Sequence, residues 1–381
     1  MQYADQLTRE PMSVLNFIKI ARRRNETPEC NLEQMQRDLS RRKGTSLVLD
    51  TNVVLDIARH VKVTKGAPNQ QLLAKSSLGE LVKLVSQATA NHIPISISPG
   101  FVLPELEPAA FDNIVRQYHE FWAMYAPGLI DDPHDPNGER RERTPTIGCI
   151  ECMPEDEAMV RRMPYLLLLC MLIAANDQAL TTPMERYNRF LSLMRKWVDC
   201  FSAKEMLIAR IVLGDLEARA KRSGWRLNAQ ERAYCNRLID NFAPFVRDKI
   251  SVSGRELQRL AHNGACDISF LNMVLRSETL DIGGGAYTVW FASFDGKLAR
   301  FVESIFYEDL AGELGQHASI VLPGKLAAHP DLIMLEAIEI SHRVSRTYNF
   351  TPPTDPIWKE RVHQLNREVE KLYPELEFAT I

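Results

Sequence analysis

Apolar residues run together at Leu47, Val48 and Leu49, stop on the polar triplet Asp50-Thr51-Asn52, and resume with helical spacing at Val53, Val54, Ile57 and Ala58. A short unbroken apolar run is the pattern of a strand buried on both faces of a parallel sheet, and the change of period marks the turn into a helix. The same change recurs further along. Ile93, Ile95 and Ile97 alternate into Ser98-Pro99-Gly100, ahead of a helix that begins over Phe101 to Leu106. Thr288 to Ala292 runs through Ser293-Phe294-Asp295 into a helix carrying Leu298, Phe301 and Val302, and a last short strand, Ser319 to Leu322, closes at Pro323-Gly324. Strands separated by helices predict an α/β fold with a mainly parallel central sheet flanked by helices.

Helical periodicity fills most of the remainder. Met12 to Ile20 and Leu32 to Leu39 read as helices, and Leu78, Leu81, Leu84 and Val85 form one stripe of a helix from about Leu72 to Ala90. From about Pro154 to Lys249 the helices lengthen: Tyr187, Leu191, Met194, Val198 and Phe201 recur at alternating steps of four and three, as core or as a partner surface. Asn228 and Glu231 open another helix as a capping pair. Tyr165 to Ala175 is the most apolar run, but it falls short of the roughly 18 residues of a membrane span and reads as a buried helix. Ser253 and Glu256 form a capping box, and after Asn263-Gly264 a helix starts near Cys266 and Asp267, packing through Phe270, Leu271, Val274 and Leu275. Pro356 to Tyr373 is a charged helix. The chain therefore divides into an N-terminal helical extension over 1–44, a core over 45–125, a loop and helical insertion over 126–253, a second part of the core over 254–324, and a C-terminal helical extension over 325–381.

Composition narrows the class. With 45% apolar and 25% charged residues among 381, the chain is that of a soluble globular protein, and a net charge of −3 excludes a globally basic nucleic-acid coat while leaving a local groove open. Seven scattered cysteines, and no apolar core segment in Met1 to Glu10, point to a reduced cytoplasmic protein without a membrane segment. Arg22 to Arg24 and Arg41 to Lys43 are basic clusters that lack interleaved aromatics, and they read as solvated faces. Gly283 to Gly285 precede a strand instead of following one, so they form a turn and not a phosphate loop. Cys149 and Cys152 have no second pair at zinc spacing, and His134 lies among aspartates in the loop Asp131 to Pro145, where nothing rigid would hold a metal. Glu205 reads as structural, on the wet side of an amphipathic helix.

What remains is a set of carboxylates. Asp50 ends the first core strand, where it either caps the following helix or enters the crevice at the carboxyl ends of the strands. Glu105, preferred over Glu107, lies on the first turn after the second strand. Asp267 is expected on a first helical turn, where the macrodipole favours an anion, and Asp295 repeats the Asp50 arrangement.

The ordered set VLDTN with Asp50, SPGFVLPEL with Glu105, CDISFL with Asp267 and VWFASFD with Asp295 resembles the PIN domain family of metal-dependent ribonucleases, over roughly Thr45 to Ala110 and Gly254 to Pro323. The resemblance implies that the four acids converge on one or two Mg²⁺ or Mn²⁺ ions. Asp50 and Asp295 would be primary ligands, Glu105 and Asp267 would serve the second ion or its waters, and Asn52 and Ser293 would orient them. Crowded carboxylates need compensating cations, and hard oxygen ligands select Mg²⁺ or Mn²⁺ over zinc. Two such ions about 3.5 to 4 Å apart would activate a water and stabilise the leaving oxygen. The implied activity is hydrolysis of RNA phosphodiester bonds, in single-stranded or structured RNA, leaving a 5′-phosphate. Single-stranded DNA would need the same site, and a toxin-like effector, a processing enzyme and a subunit held inactive by a partner are all open as roles. An aspartyl-nucleophile phosphatase would want a second Asp where Asn52 stands. The insertion between Glu105 and Asp267 is larger than in compact members of the family. It suggests homo-oligomer or regulatory contacts, and with them the alternative of an inactive binding or scaffold protein that acts through the insertion.

Overall fold

The computed structural model describes residues 14–19, 28–99, 108–127, 129–131, 150–153, 155–214, 216, 225–279, 286–309, 316–344 and 353–374. Two compact units divide the chain: the first takes residues 1–20, 27–147 and 270–299, the second 21–26, 148–269 and 300–381. Three of the expected segments are divided: 1–44 gives 21–26 to the second unit, 126–253 gives 126–147 to the first, and 254–324 gives 270–299 to the first.

In chain order the first unit contains β1 (Asn16–Ile18), α1 (Leu32–Ser40), β2 (Lys43–Leu49), α2 (Thr51–Thr64), α3 (Gln70–Ala74), α4 (Leu78–Ala90), β3 (Ile95–Ser98), α5 (Pro108–Tyr125) and β4 (Ile130–Asp131). The second follows with α6 (Glu155–Asn176), α7 (Pro183–Trp197), α8 (Ala203–Gly214), α9 (Ala229–Phe242), α10 (Phe245–Asp248) and α11 (Gly254–Thr279), whose residues from 270 onward belong to the first. β5 (Ala286–Ser293) and the start of α12 (Gly296–Val302) complete the first unit; β6 (Ile305–Asp309), β7 (Gln316–Ile320), α13 (Pro330–Val344) and α14 (Asp355–Leu372) complete the second.

The fold is mixed α/β, with a mostly parallel sheet flanked by helices. Its strand order is β1-β5-β2-β3-β4; β2 pairs in parallel with β3 and β5, β3 with β4, and only β1 runs antiparallel. The chain leaves β2 toward β3 and returns on its other side as β5, so β2 lies at the point where strand order reverses. In such sheets the crevice outside the carboxyl ends is the ligand site. Leu47, Leu49, Phe291 and Ala292 are wholly buried in the two central strands. Tyr118, Phe121, Trp122 and Tyr125 bury one face of α5. The Tyr125 hydroxyl lies 2.9 Å from His60 Nε2 on α2 and accepts the Asn69 N–H at 2.8 Å, which pins the loop after α2. Each buried ring adds on the order of 1.5–3 kcal/mol over an exposed one.

The second unit is helical apart from β6 and β7, which pair antiparallel with each other. Tyr187, Leu191, Met194 and Val198 are fully buried, so the Met and aromatic stripe is core. The stretch Ala158–Asn176 is long and apolar enough to cross a membrane by length and composition, and 78% of its most apolar window is buried inside the protein.

Several expectations differ from the structure. The described part of Met12 to Ile20 contains a strand, β1, because the open edge of β5 offers it hydrogen bonds that a lone helix would not find. The helix expected over Leu72 to Ala90 is two helices, α3 and α4, separated at residues 75–77. The last strand ends at Ile320 and pairs with β6, not with the central sheet. Glu205 is only 2% exposed and accepts the Ser202 hydroxyl, since almost every face of α8 is buried. The helix over Phe101 to Leu106, the loop with His134, Cys149 and Gly283 to Gly285 lie outside the described residues.

Candidate carboxylate site

The parallel register that sets Leu49 opposite Ala292 puts Asp50, the residue after β2, level with Ser293, the last residue of β5, and the Asp50 N–H donates to the Ala292 carbonyl at 2.9 Å. Two elements remote in sequence therefore deliver their polar ends to one place.

Asp50 is the N-cap of α2. Its Oδ1 accepts the Thr51 N–H at 2.7 Å, and its Oδ2 accepts from Asn52 Nδ2 at 2.6 Å and from the Ser293 hydroxyl. The cap and site roles that the sequence left open are compatible: one oxygen caps the helix while the other faces Ser293. Asn52 holds the opposite wall as well, its Oδ1 accepting the Phe294 N–H at 3.2 Å. Ser293 Oγ also accepts the Asp295 N–H at 2.9 Å. The Asp295 Oδ1 in turn accepts Lys297 N–H at 2.7 Å and Leu298 N–H at 3.1 Å, which caps α12.

Burial raises the Asp50 carboxyl above the ordinary carboxylate range. The donors Ser293, Thr51 and Asn52 oppose that rise, and the negative charge of Asp295 adds to it.

Hydrogen bonds join the Asp50, Asn52 and Ser293 side chains and the Asp295 backbone. Asp267 is placed differently from its expected first helical turn: α11 begins at Gly254 and passes through Asn263-Gly264 without a break, so Asp267 is in mid-helix. It belongs to the second unit, where Asn241 Nδ2 donates to its Oδ2 at 3.2 Å. The helix continues because Gly264 serves close packing: a Cβ there would stand 2.8 Å from Leu168 Cδ1 and 2.9 Å from Phe242 Cδ1. Glu105 and Glu107 lie outside the described residues. Among the described residues no group of three or more His, Cys, Asp or Glu side chains is placed to hold a metal ion. One supporting residue went unread in the sequence: Asn16 of β1, whose Nδ2 donates to the Ser293 carbonyl at 3.4 Å. Reading β1 as a helix concealed it.

The pair nevertheless has the donor chemistry for a hard cation. A carboxylate offers about four lone-pair positions. Asp50 Oδ1 has one donor, and Asp295 Oδ2 has none among the described residues, so each carboxylate keeps acceptor capacity.

No protein-family model, curated protein or solved structure matches this chain.

Proposed function

We propose that this protein is a PIN-like, metal-dependent ribonuclease that hydrolyses phosphodiester bonds of RNA, with Asp50 and Asp295 at its centre. The observation that carries the reading is the placement of two carboxylate residues at the carboxyl ends of adjacent parallel strands, with Asn52 and Ser293 bonded to Asp50 and Ser293 bonded to the Asp295 backbone. A carboxylate on a helix cap needs no second carboxylate beside it. Placing one there costs electrostatic energy that a divalent cation would offset.

Mg²⁺ or Mn²⁺ fits this oxygen-donor pair, held by Asp50 and Asp295, and would supply an activated water and charge compensation for the phosphate. The chain's own residues fix the geometry. The Ser293 hydroxyl sets Asp50 Oδ2 and, through its acceptor lone pair, the Asp295 backbone; Asn52 ties both strand ends through Asp50 and Phe294. Such supporting bonds hold ligand rotamers in place and raise affinity for the ion.

The test uses purified full-length protein with Mn²⁺ and a labelled single-stranded RNA. Wild type should cut it to 5′-phosphate products, and Asp50→Asn and Asp295→Asn should each abolish cutting with an unchanged circular dichroism spectrum. Cutting that persists in both variants would overturn the assignment. Absence of cutting by wild type, together with RNA-independent binding through the second unit, would favour the scaffold reading.

A further inference from the structure

The Asp295 carboxylate is bonded to the N–H groups of Lys297 and Leu298. On that first turn of α12 Leu298 is buried at 1% exposure, whereas Gly296 and Lys297 face solvent. A Cβ on Gly296 would meet nothing within 4 Å. The surface is therefore open at Gly296, and the exposed Lys297, whose backbone N–H bonds Asp295 Oδ1, is next to it in the chain.

A polyanionic strand drawn toward two carboxylates needs positive charge alongside them. Most exposed cations of the first unit are engaged or remote. Arg37, Arg59 and Arg116 pair with Glu33, Asp56 and Glu120, and Lys19 lies over the Trp290 ring at 5.5 Å. Arg41, Arg42 and Lys43 sit at the amino end of β2, which the strand rise places roughly 20 Å from its carboxyl end. Lys62 and Lys65 lie at the far end of α2, roughly 18 Å or more from Asp50 at the helical rise. Lys297 makes no ion pair among the described residues.

Resting on the reading of the site as a phosphodiester hydrolase, the geometry points to Lys297 as the side chain that grips a backbone phosphate of the substrate strand next to the scissile bond. A lysine ammonium contacts phosphate as a point charge and reads no base, so the contact carries no sequence information.

The experiment measures cleavage of a labelled oligouridine by full-length protein with Mn²⁺ across a salt series. Lys297→Ala should raise KM about tenfold at low salt with kcat within about twofold, and should flatten the salt dependence of log KM by about 0.7, the share of one single-strand phosphate contact. Lys297→Arg should restore both. If Lys297→Ala keeps the wild-type salt slope while Asp50→Asn abolishes cutting, the role of Lys297 is overturned and the hydrolase reading stands. If wild type shows no Mn²⁺-dependent cutting, the hydrolase reading falls and the role of Lys297 falls with it.

Discussion

Ser293 donates its hydroxyl hydrogen to Asp50 and, on the same oxygen, accepts the Asp295 N–H at 2.9 Å. One fully buried atom thus joins the ends of two strands that lie more than two hundred residues apart in the chain. Ser293→Ala removes a donor from a carboxylate and leaves the Asp295 N–H without its acceptor. The expected loss of stability is about 1–3 kcal/mol, read as a shift in urea midpoint at constant slope. Cleavage should fall as well, because Asp50 and Asp295 lose their common support. A midpoint equal to wild type would show that the hydroxyl is not part of the structural link.

Asp50→Asn should separate stability from activity. Burial and the Asp295 charge raise the folded-state pKa of Asp50, so at neutral pH the ionised side chain disfavours the fold relative to its unfolded value. The neutral amide avoids that cost, but it has one acceptor oxygen where Asp50 uses two, so it gives up part of the bonding to Thr51, Asn52 and Ser293. At pH 7 these two changes oppose each other, and only the charge cost depends on pH. Wild type should therefore gain stability relative to the variant as the pH falls into the carboxylate range, where Asp50 takes up its proton. Thermal denaturation of both proteins at a series of pH values checks this, and a wild type that loses ground to the variant on acidification would refute it.

The parts of this site that were legible in the sequence were those fixed by local pattern. The apolar runs before Asp50 and Ser293 announce strands, and both runs end on polar turns because the helices that follow need caps. What stayed hidden depended on partners distant in the chain. Three residues, Asn16 to Ile18, suit helix or strand equally until β5 offers an edge. Asn263-Gly264 looks like a helix stop, yet the tight approach of Leu168 and Phe242 makes glycine the residue that lets the helix continue. The placing of Asp267 depended on that mistaken break. Ser202 to Leu213 showed only that Glu205 had apolar neighbours, not that the whole helix was enclosed.

Two glycines of α11 should respond differently to a single methyl group. At Gly264 an added Cβ meets the ends of Leu168 and Phe242 side chains, which can turn; at Gly254 it meets the Val369 carbonyl oxygen of α14 at 2.7 Å, and backbone cannot turn away. Gly264→Ala should cost about 1–3 kcal/mol from overpacking, partly offset by up to about 1 kcal/mol of helix propensity. Gly254→Ala should cost more and should loosen α14, seen as earlier proteolysis after residue 353. Equal denaturation midpoints for the two variants would contradict the distinction between side-chain and backbone neighbours.

His262 should contribute to the acid sensitivity of the second unit, beside His329 and His342, whose imidazoles burial also pushes down. Burial on α11 pushes its imidazole down to about 4, with Arg161 acting in the same direction and the Asn263 side chain against them. An unfolded histidine takes its proton near about pH 6.5, whereas this one refuses it until the pH is much lower. Between those values the unfolded chain binds more protons than the folded one, so stability rises with pH there and is lost as the pH falls. The loss begins near the unfolded value and is complete once the folded group also protonates, on the order of 3 kcal/mol for this group. His262→Gln cannot titrate. Urea denaturation from pH 7.5 downward should therefore give a variant whose stability falls less steeply than wild type across that window, with the curves parallel above it. Identical pH slopes in the two proteins would place the acid-sensitive group elsewhere.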